Sequence, residues 1–199
     1  MQEKYVITGG PGVGKTTIGR FMKWAGYIVV PEVPRFVMKI EKRKQKENPG
    51  YVGILPQNDI DIFEKFIVNE QAGLEKRIEA GNVNNKIMLH DRSLVDIKAY
   101  CEYFGVNPPE NIDEQIKNAH YNKRVFVLEP LATYKKDAER QESPEEAQVI
   151  HDKLCEVYER EGFELVRVPD IGIFNRLRMI HREMKKVPVA ASELVEAYQ

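Results

Sequence analysis

Residues Gly9 to Thr16 read GGPGVGKT, a complete match to G-x-x-x-x-G-K-S/T, the loop pattern that cradles nucleotide phosphates. The chemistry needs these residue types in this order. Gly9, Gly12 and Gly14 allow backbone conformations and close approaches that a side chain would obstruct. The loop, with Gly10, Pro11 and Val13 between those glycines, then aims successive N–H groups at phosphate oxygens, and the following helix adds its positive N-terminal dipole. Lys15 is placed to reach the β- and γ-phosphates. The Thr16 hydroxyl is the expected Mg²⁺ ligand, with waters and phosphate oxygens completing the shell. Thr17 is read as a helix residue or an α-phosphate contact. The competing reading is a glycine-rich turn with a chance Lys-Thr. Against it stands the context, because the motif follows an apolar run, Lys4 to Thr8, and opens a helical pattern from Lys15 to Gly26.

A second acidic site falls at residues 86–93, KIMLHDRS. P-loop proteins place their Walker-B aspartate at the C-terminal end of an apolar strand, and the ligand crevice of an open α/β sheet lies along that edge. Asp91 is therefore a candidate to hold Mg²⁺, directly or through water, or to polarise an acceptor hydroxyl. The alternative is a helix N-cap for the run from Ser93. Arg92 is a candidate to hold phosphate or substrate, with pairing to Asp96 four residues on as its alternative. His90 is read as a packed strand residue. Glu32 and Arg35, in VVPEVPR (29–35), reach the same edge. Glu32 is a candidate general base for an acceptor hydroxyl, against a simple first-turn interaction with the helix dipole. Gln71 and Glu75 share one helical face. They are read as a surface pair, with Gln71 kept as a candidate acceptor contact. The stretch 129–146 has the charge and punctuation of a lid. Arg140 is its candidate arginine, closing over the triphosphate to stabilise developing charge, with Lys135 and Lys136 as weaker candidates and an exposed helix residue as the alternative.

Two absences bear on the reaction class. Many hydrolytic ATPases place a water-activating Glu after the Walker-B Asp, and here that place is Arg92. The guanine-reading element N-K-x-D has its nearest match at residues 122–125, which lack the Asp. Both favour Mg²⁺-dependent phosphoryl transfer from ATP to a small, nucleoside-like acceptor. The alternative is an NTP-dependent ATPase or regulatory switch that acts through a protein partner. A nucleic-acid end kinase is disfavoured, because the basic residues of 42–46 have no interleaved aromatic platform.

These residues need elements to hold them. Short apolar runs at Tyr5–Thr8, Tyr27–Val30, 86–90, Arg124–Leu128 and Leu165–Val168 alternate with helical patterns near 15–24, 32–46, 58–80, 93–104, 110–119, 139–161 and 171–186. That alternation predicts an α/β fold with a five-stranded parallel sheet covered by helices on both faces. A chain of 199 residues suits one domain, taken as 1–186, with 187–199 as a tail or short docking helix. Residues 41–50 are read as a solvated helix end or a phosphate-binding patch. The net charge of −1 gives no global field for nucleic acid. No apolar run approaches a membrane span. The start reads as the first strand rather than a leader. Cys101 and Cys155 form no C-x-x-C pair, which is read as reduced thiols in a cytoplasmic protein.

Together the motifs resemble the P-loop AAA-domain ATPase/kinase-like family related to the ribosylnicotinamide kinase domain of NadR. The resemblance is carried by Ile7–Thr17, Gly26–Arg35, His90–Tyr100, Val125–Pro130, Glu145–Tyr158 and Glu164–Pro169. It implies a three-layer P-loop NTPase fold with kinase-like strand order 2-3-1-4-5. It also implies phosphate and Mg²⁺ roles for Lys15 and Thr16, and acidic site positions at Asp91 and Glu32. The DRS of residues 91–93 is closer to deoxynucleoside kinases.

Overall fold

The computed structural model describes residues 3–81, 87–132 and 142–184. Five strands, β1 (Lys4–Thr8), β2 (Ile28–Val30), β3 (Met88–Asp91), β4 (Tyr121–Leu128) and β5 (Glu164–Val168), form one sheet in the order β2-β3-β1-β4-β5. Every pairing is parallel, as the alternation of strands and helices predicts. The helices are α1 (Lys15–Trp24), α2 (Val33–Glu47), α3 (Ile60–Ala80), α4 (Leu94–Phe104), α5 (Ile112–Ala119), α6 (Pro144–Arg160) and α7 (Ile173–Met184).

The strands sort their side chains by the two-residue period of extended chain. Tyr5 and Ile7 of β1 join Leu89, Phe126, Leu128 and Val168 in a core against α1 and α7. Val6 and Val125 point the other way, into a core completed by α2 through α6. Burial on both faces is why β1 is buried along its whole length. The central position of β1 also puts the loop that follows it between the ends of β3 and β4.

Local chemistry sets the helix starts. Ser93 caps α4. Its hydroxyl accepts from the Val95 N–H at 3.1 Å, and Asp96 accepts from the Ser93 N–H at 2.9 Å. The cap is thus Ser93, which overturns the N-cap alternative for Asp91. α6 begins at Pro144, later than the expected 139. Ser143 and Glu146 form a capping box there, with Pro144 in the first turn, where its missing N–H goes unneeded. The charged segment 41–50 is not wholly solvated. Glu41 is buried, accepting from Lys44 at 2.7 Å, the Tyr51 hydroxyl at 2.7 Å and the Ile54 N–H at 2.8 Å. It ties the loop after α2 back onto that helix. The tail 187–199, Arg140, Lys135 and Lys136 lie outside the described residues. No helix among the described residues is long and apolar enough to cross a membrane.

Candidate functional site

The phosphate loop leaves β1 in a conformation that its glycines alone make accessible. Gly9, Gly12 and Gly14 have φ of 131°, 83° and 96°. Space is equally restrictive. A β-carbon on Gly9 would lie 2.6 Å from the Leu128 carbonyl oxygen, and one on Gly10 would lie 2.6 Å from that of Ala147. The loop is therefore wedged between the end of β4 and α6. Lys15, buried at the start of α1, donates to the carbonyls of Gly9 and Gly10, each at 2.9 Å. Two of its three N–H donors are so used, leaving one for a phosphate oxygen. Burial, aided by the Arg92 charge, pushes the ammonium down to about 7 against the pull of Glu32, Asp91 and Asp96. An anion bound beside it would reverse that shift. Thr16 is exposed and Thr17 half-buried in the first turn of α1.

Parallel pairing sets Asp91 opposite Ile7, and the Arg92 N–H continues the ladder to the Ile7 carbonyl at 3.0 Å. The Asp91 carboxyl thus stands at the end of β3, one strand from the loop. It is 6 % exposed, and its Oδ1 lacks a hydrogen-bond partner. Burial first, then the Glu32 charge, push it up to about 6. A buried carboxylate oxygen with no donor facing it fits a cation or a cation-bound water. Asp91 and the Thr16 hydroxyl are an all-oxygen pair of the kind Mg²⁺ takes while keeping waters and phosphate oxygens. The residues present therefore fit the ion.

Arg92 is the hub of the crevice wall beside Asp91. Its backbone is left-handed, with φ of 70°, at a cost of about 1–3 kcal/mol for a non-glycine residue. That conformation turns the guanidinium into the crevice, where its contacts hold it. Nε donates to Glu32 at 2.9 Å, Nη1 to Asp96 at 3.0 Å and Nη2 to the Tyr100 hydroxyl at 3.1 Å. Arg35 donates to the other Glu32 oxygen at 2.8 Å. Burial pushes the Glu32 carboxyl up, but Arg92, Lys15 and Arg35 outweigh it and hold it below its ordinary value. Glu32 occupies the N-cap position of α2 without a side-chain cap bond; each carboxylate oxygen accepts from one arginine and keeps a lone pair for a further donor. The pairing with Asp96 is present, and Arg92 also reaches across the crevice to Glu32.

Sequence reasoning treated Asp96 only as a partner for Arg92, yet it joins three elements. It accepts from the Thr8 hydroxyl at 2.6 Å, from Arg92, from the Ser93 N–H and from the Tyr158 hydroxyl. The end of β1, the start of α4 and the last turn of α6 are thereby tied together directly beneath the site. The Ser93-x-x-Asp96 capping spacing was the available signal for part of this. Tyr100 and Tyr158 had none, because nothing local marks a tyrosine whose partner is far along the chain.

Gln71 corrects an expectation. It is no surface residue, being 2 % exposed, and its amide is consumed inside the protein. Nε2 donates to Glu75 at 2.8 Å, and Oε1 accepts from the Val33 N–H at 3.3 Å. Glu75 is buried as well, and accepts from the Tyr121 hydroxyl at 2.8 Å beside a fully buried His90. The helical face that the pair shares is the one α3 turns toward the sheet. Gln71 therefore fixes the first residue of α2, next to Glu32.

A five-stranded parallel sheet in this order, with a phosphate loop after the central strand and a carboxylate ending its neighbour, defines the P-loop NTPase fold. The AAA domain family matches residues 4–176, and the chain belongs to that family. Among solved structures, thymidylate kinase from Ehrlichia chaffeensis matches with a TM-score of 0.61 at 13% identity, covering 92% of this chain and 99% of that one. Deoxyadenosine kinase from M. mycoides, solved with dCMP and dCDP, gives 0.61 at 16% identity over 92% of this chain and 100% of that one. NadR in complex with NR gives 0.62 at 17% identity, covering 91% of this chain and 51% of that one. At such identities the likeness is one of fold. No curated protein matches the chain.

Proposed function

We propose that the protein is a Mg²⁺-dependent kinase that transfers the γ-phosphoryl group of ATP to a hydroxyl of a small, nucleoside-like acceptor. The observation that carries this reading is the cluster of Glu32, Asp91 and Arg92 across the crevice from Lys15, with an arginine where a hydrolytic enzyme would keep its water-activating carboxylate. The thymidylate and deoxyadenosine kinases of similar fold, and NadR solved with NR, support it as analogy.

Lys15 and the N–H groups of residues 12–17 would hold the β- and γ-phosphates. Thr16 and Asp91 would hold Mg²⁺, which would supply charge neutralisation at the phosphates. The acceptor would lie in the pocket bounded by Glu32, Arg35, Arg92 and the 51–58 loop. Glu32 orients its hydroxyl and takes the proton. A carboxylate held below its ordinary value is a weak base, but a loose phosphoryl-transfer transition state asks little of a base until bond formation is advanced. Catalysis is then chiefly alignment and charge stabilisation, to which Arg140 is assigned as the closing cation. The two free, buried thiols of Cys101 and Cys155 fit a reducing compartment, and we assign the protein to the cytoplasm.

Glu32→Gln tests the role directly. It keeps the size and one acceptor oxygen but cannot take a proton. With a nucleoside acceptor and saturating Mg·ATP, kcat is expected to fall about 10²-fold or more, with KM for ATP nearly unchanged. A kcat within about twofold of wild type, where a base is worth roughly 10²-fold, contradicts the assignment.

A further inference from the structure

The phosphate loop is gripped from behind by a histidine that the phosphoryl-transfer chemistry does not use. His151, in the middle of α6, is 1 % exposed, and its Nδ1 accepts from the Gly10 N–H at 3.3 Å. An acceptor at Nδ1 requires the tautomer with its proton on Nε2. The surroundings favour that tautomer. Nε2 faces Oε2 of Glu129 at 3.4 Å and the Cys155 sulfur at 3.8 Å. Glu129 is fixed in turn, its carboxylate by Arg167 at 2.9 Å and its carbonyl by Arg176 at 2.8 Å. Arg176 also donates to the Val13 carbonyl at 2.7 Å. The loop is thus held at Gly10 from α6 and at Val13 from α7, on either side of its Pro11-Gly12 bend.

At Gly10 the restraint is complete. The N–H is taken by His151, the C=O by Lys15, and there is no room for a β-carbon. We propose that His151 is a positioning residue of the phosphate loop, whose neutral Nδ1 sets the orientation of the Gly9–Gly10 peptide and thereby the Gly9 carbonyl, one of the two that aim Lys15 at phosphate. The groups that face the imidazole agree with a neutral acceptor. Burial, with the charges of Arg167 on β5 and Lys15 on α1, holds it below its ordinary value against Glu129 and its own-helix neighbour Asp152. Without that acceptor the Gly10 N–H is buried unpaired, the peptide turns, and Lys15 loses its fixed aim. The inference rests on the reading of this loop as a nucleotide site.

The test compares two side chains of similar polarity. His151→Asn carries an acceptor oxygen at the place of Nδ1, whereas His151→Gln carries it one bond further, at the place of Nε2. Mg·ADP affinity is measured by calorimetry on protein shown to be folded by circular dichroism, with His151→Ala as the variant that has no acceptor. The expected result is Asn within about threefold of wild type and both Gln and Ala weakened about tenfold, in the range for an unpaired buried N–H. Nitrogen-15 spectra of the wild-type histidines are expected to show the Nε2–H tautomer for His151. Equal affinities for Asn and Gln, or an Nδ1–H tautomer, overturn the proposal even if the wild type binds nucleotide. A wild type that binds no Mg·ADP overturns the nucleotide reading and this inference with it.

Discussion

Arg92→Ala is expected to destabilise the protein by about 3–5 kcal/mol, the range for removing one partner from a buried ion-pair network, and to abolish transfer. The guanidinium is 9 % exposed and serves Glu32, Asp96 and Tyr100 at once. Its removal leaves Asp96 with the hydroxyls of Thr8 and Tyr158 and its cap bond, but without its ion-pair partner. Glu32 keeps Arg35, which is half exposed, and the more distant charge of Lys15. Two carboxylates then share a low-dielectric crevice with Asp91, and each disfavours the charge on the others. Alanine does not relieve the left-handed backbone, because it retains a β-carbon. Arg92→Gly removes the same contacts and the strain as well, so it is expected to be about 1 kcal/mol more stable than Arg92→Ala. Denaturant unfolding measures both. An Arg92→Ala protein within about 1 kcal/mol of wild type, well below the range for a buried pair, would show that the network does not hold the crevice together.

Asp91→Asn is expected to move activity and stability in opposite directions. Transfer falls about 10³-fold or more, because the substitution removes the charged oxygen assigned to Mg²⁺ and a bound metal supplies several kcal/mol of charge stabilisation. The ligand-free protein, however, becomes more stable at neutral pH. Burial and the Glu32 charge raise the Asp91 carboxyl to about 6 from an ordinary 3.8. The folded state therefore binds this proton more tightly than the unfolded chain does. Stability from this group is greatest below the unfolded value, declines as pH rises through the window between 3.8 and about 6, and is lost above it. At pH 7.5 the ionised carboxylate thus opposes folding by roughly 3 kcal/mol, from the size of the shift. Asparagine recovers part of that, and a melting temperature a few degrees above wild type is expected in metal-free buffer. A lower melting temperature for Asp91→Asn would mean that the carboxylate is structural. Such a trade is common where a site is built for a ligand rather than for the empty fold.

Much of this was legible in the sequence for a physical reason. The phosphate loop is a contiguous motif whose glycines are demanded by local backbone geometry, and strands buried on both faces announce themselves as apolar runs. The loop and the placement of Asp91 and Glu32 at one edge follow from that, whereas the strand order was implied by the family resemblance. What was not legible depends on contacts between distant segments. Gln71 and Glu75 look like a surface pair because helical spacing shows that they share a face without showing what the face meets. Asp96, Tyr158, His151 and Arg176 are ordinary helix residues until folding brings them beneath the loop. The start of α6 was misplaced because helical charge patterning runs on through residues that precede the cap, whereas Ser143 and Pro144 set the boundary.

The central claim is transfer to an acceptor. Incubating the pure protein with Mg·ATP and a pool of nucleosides, nucleotides and nicotinamide riboside, and following the products by mass spectrometry, tests it most directly. The account predicts one new phosphorylated species that depends on Mg²⁺ and is lost in Lys15→Ala. ADP formation that no acceptor alters, with no phosphorylated product, would contradict it and favour an NTP-driven switch read by a protein partner.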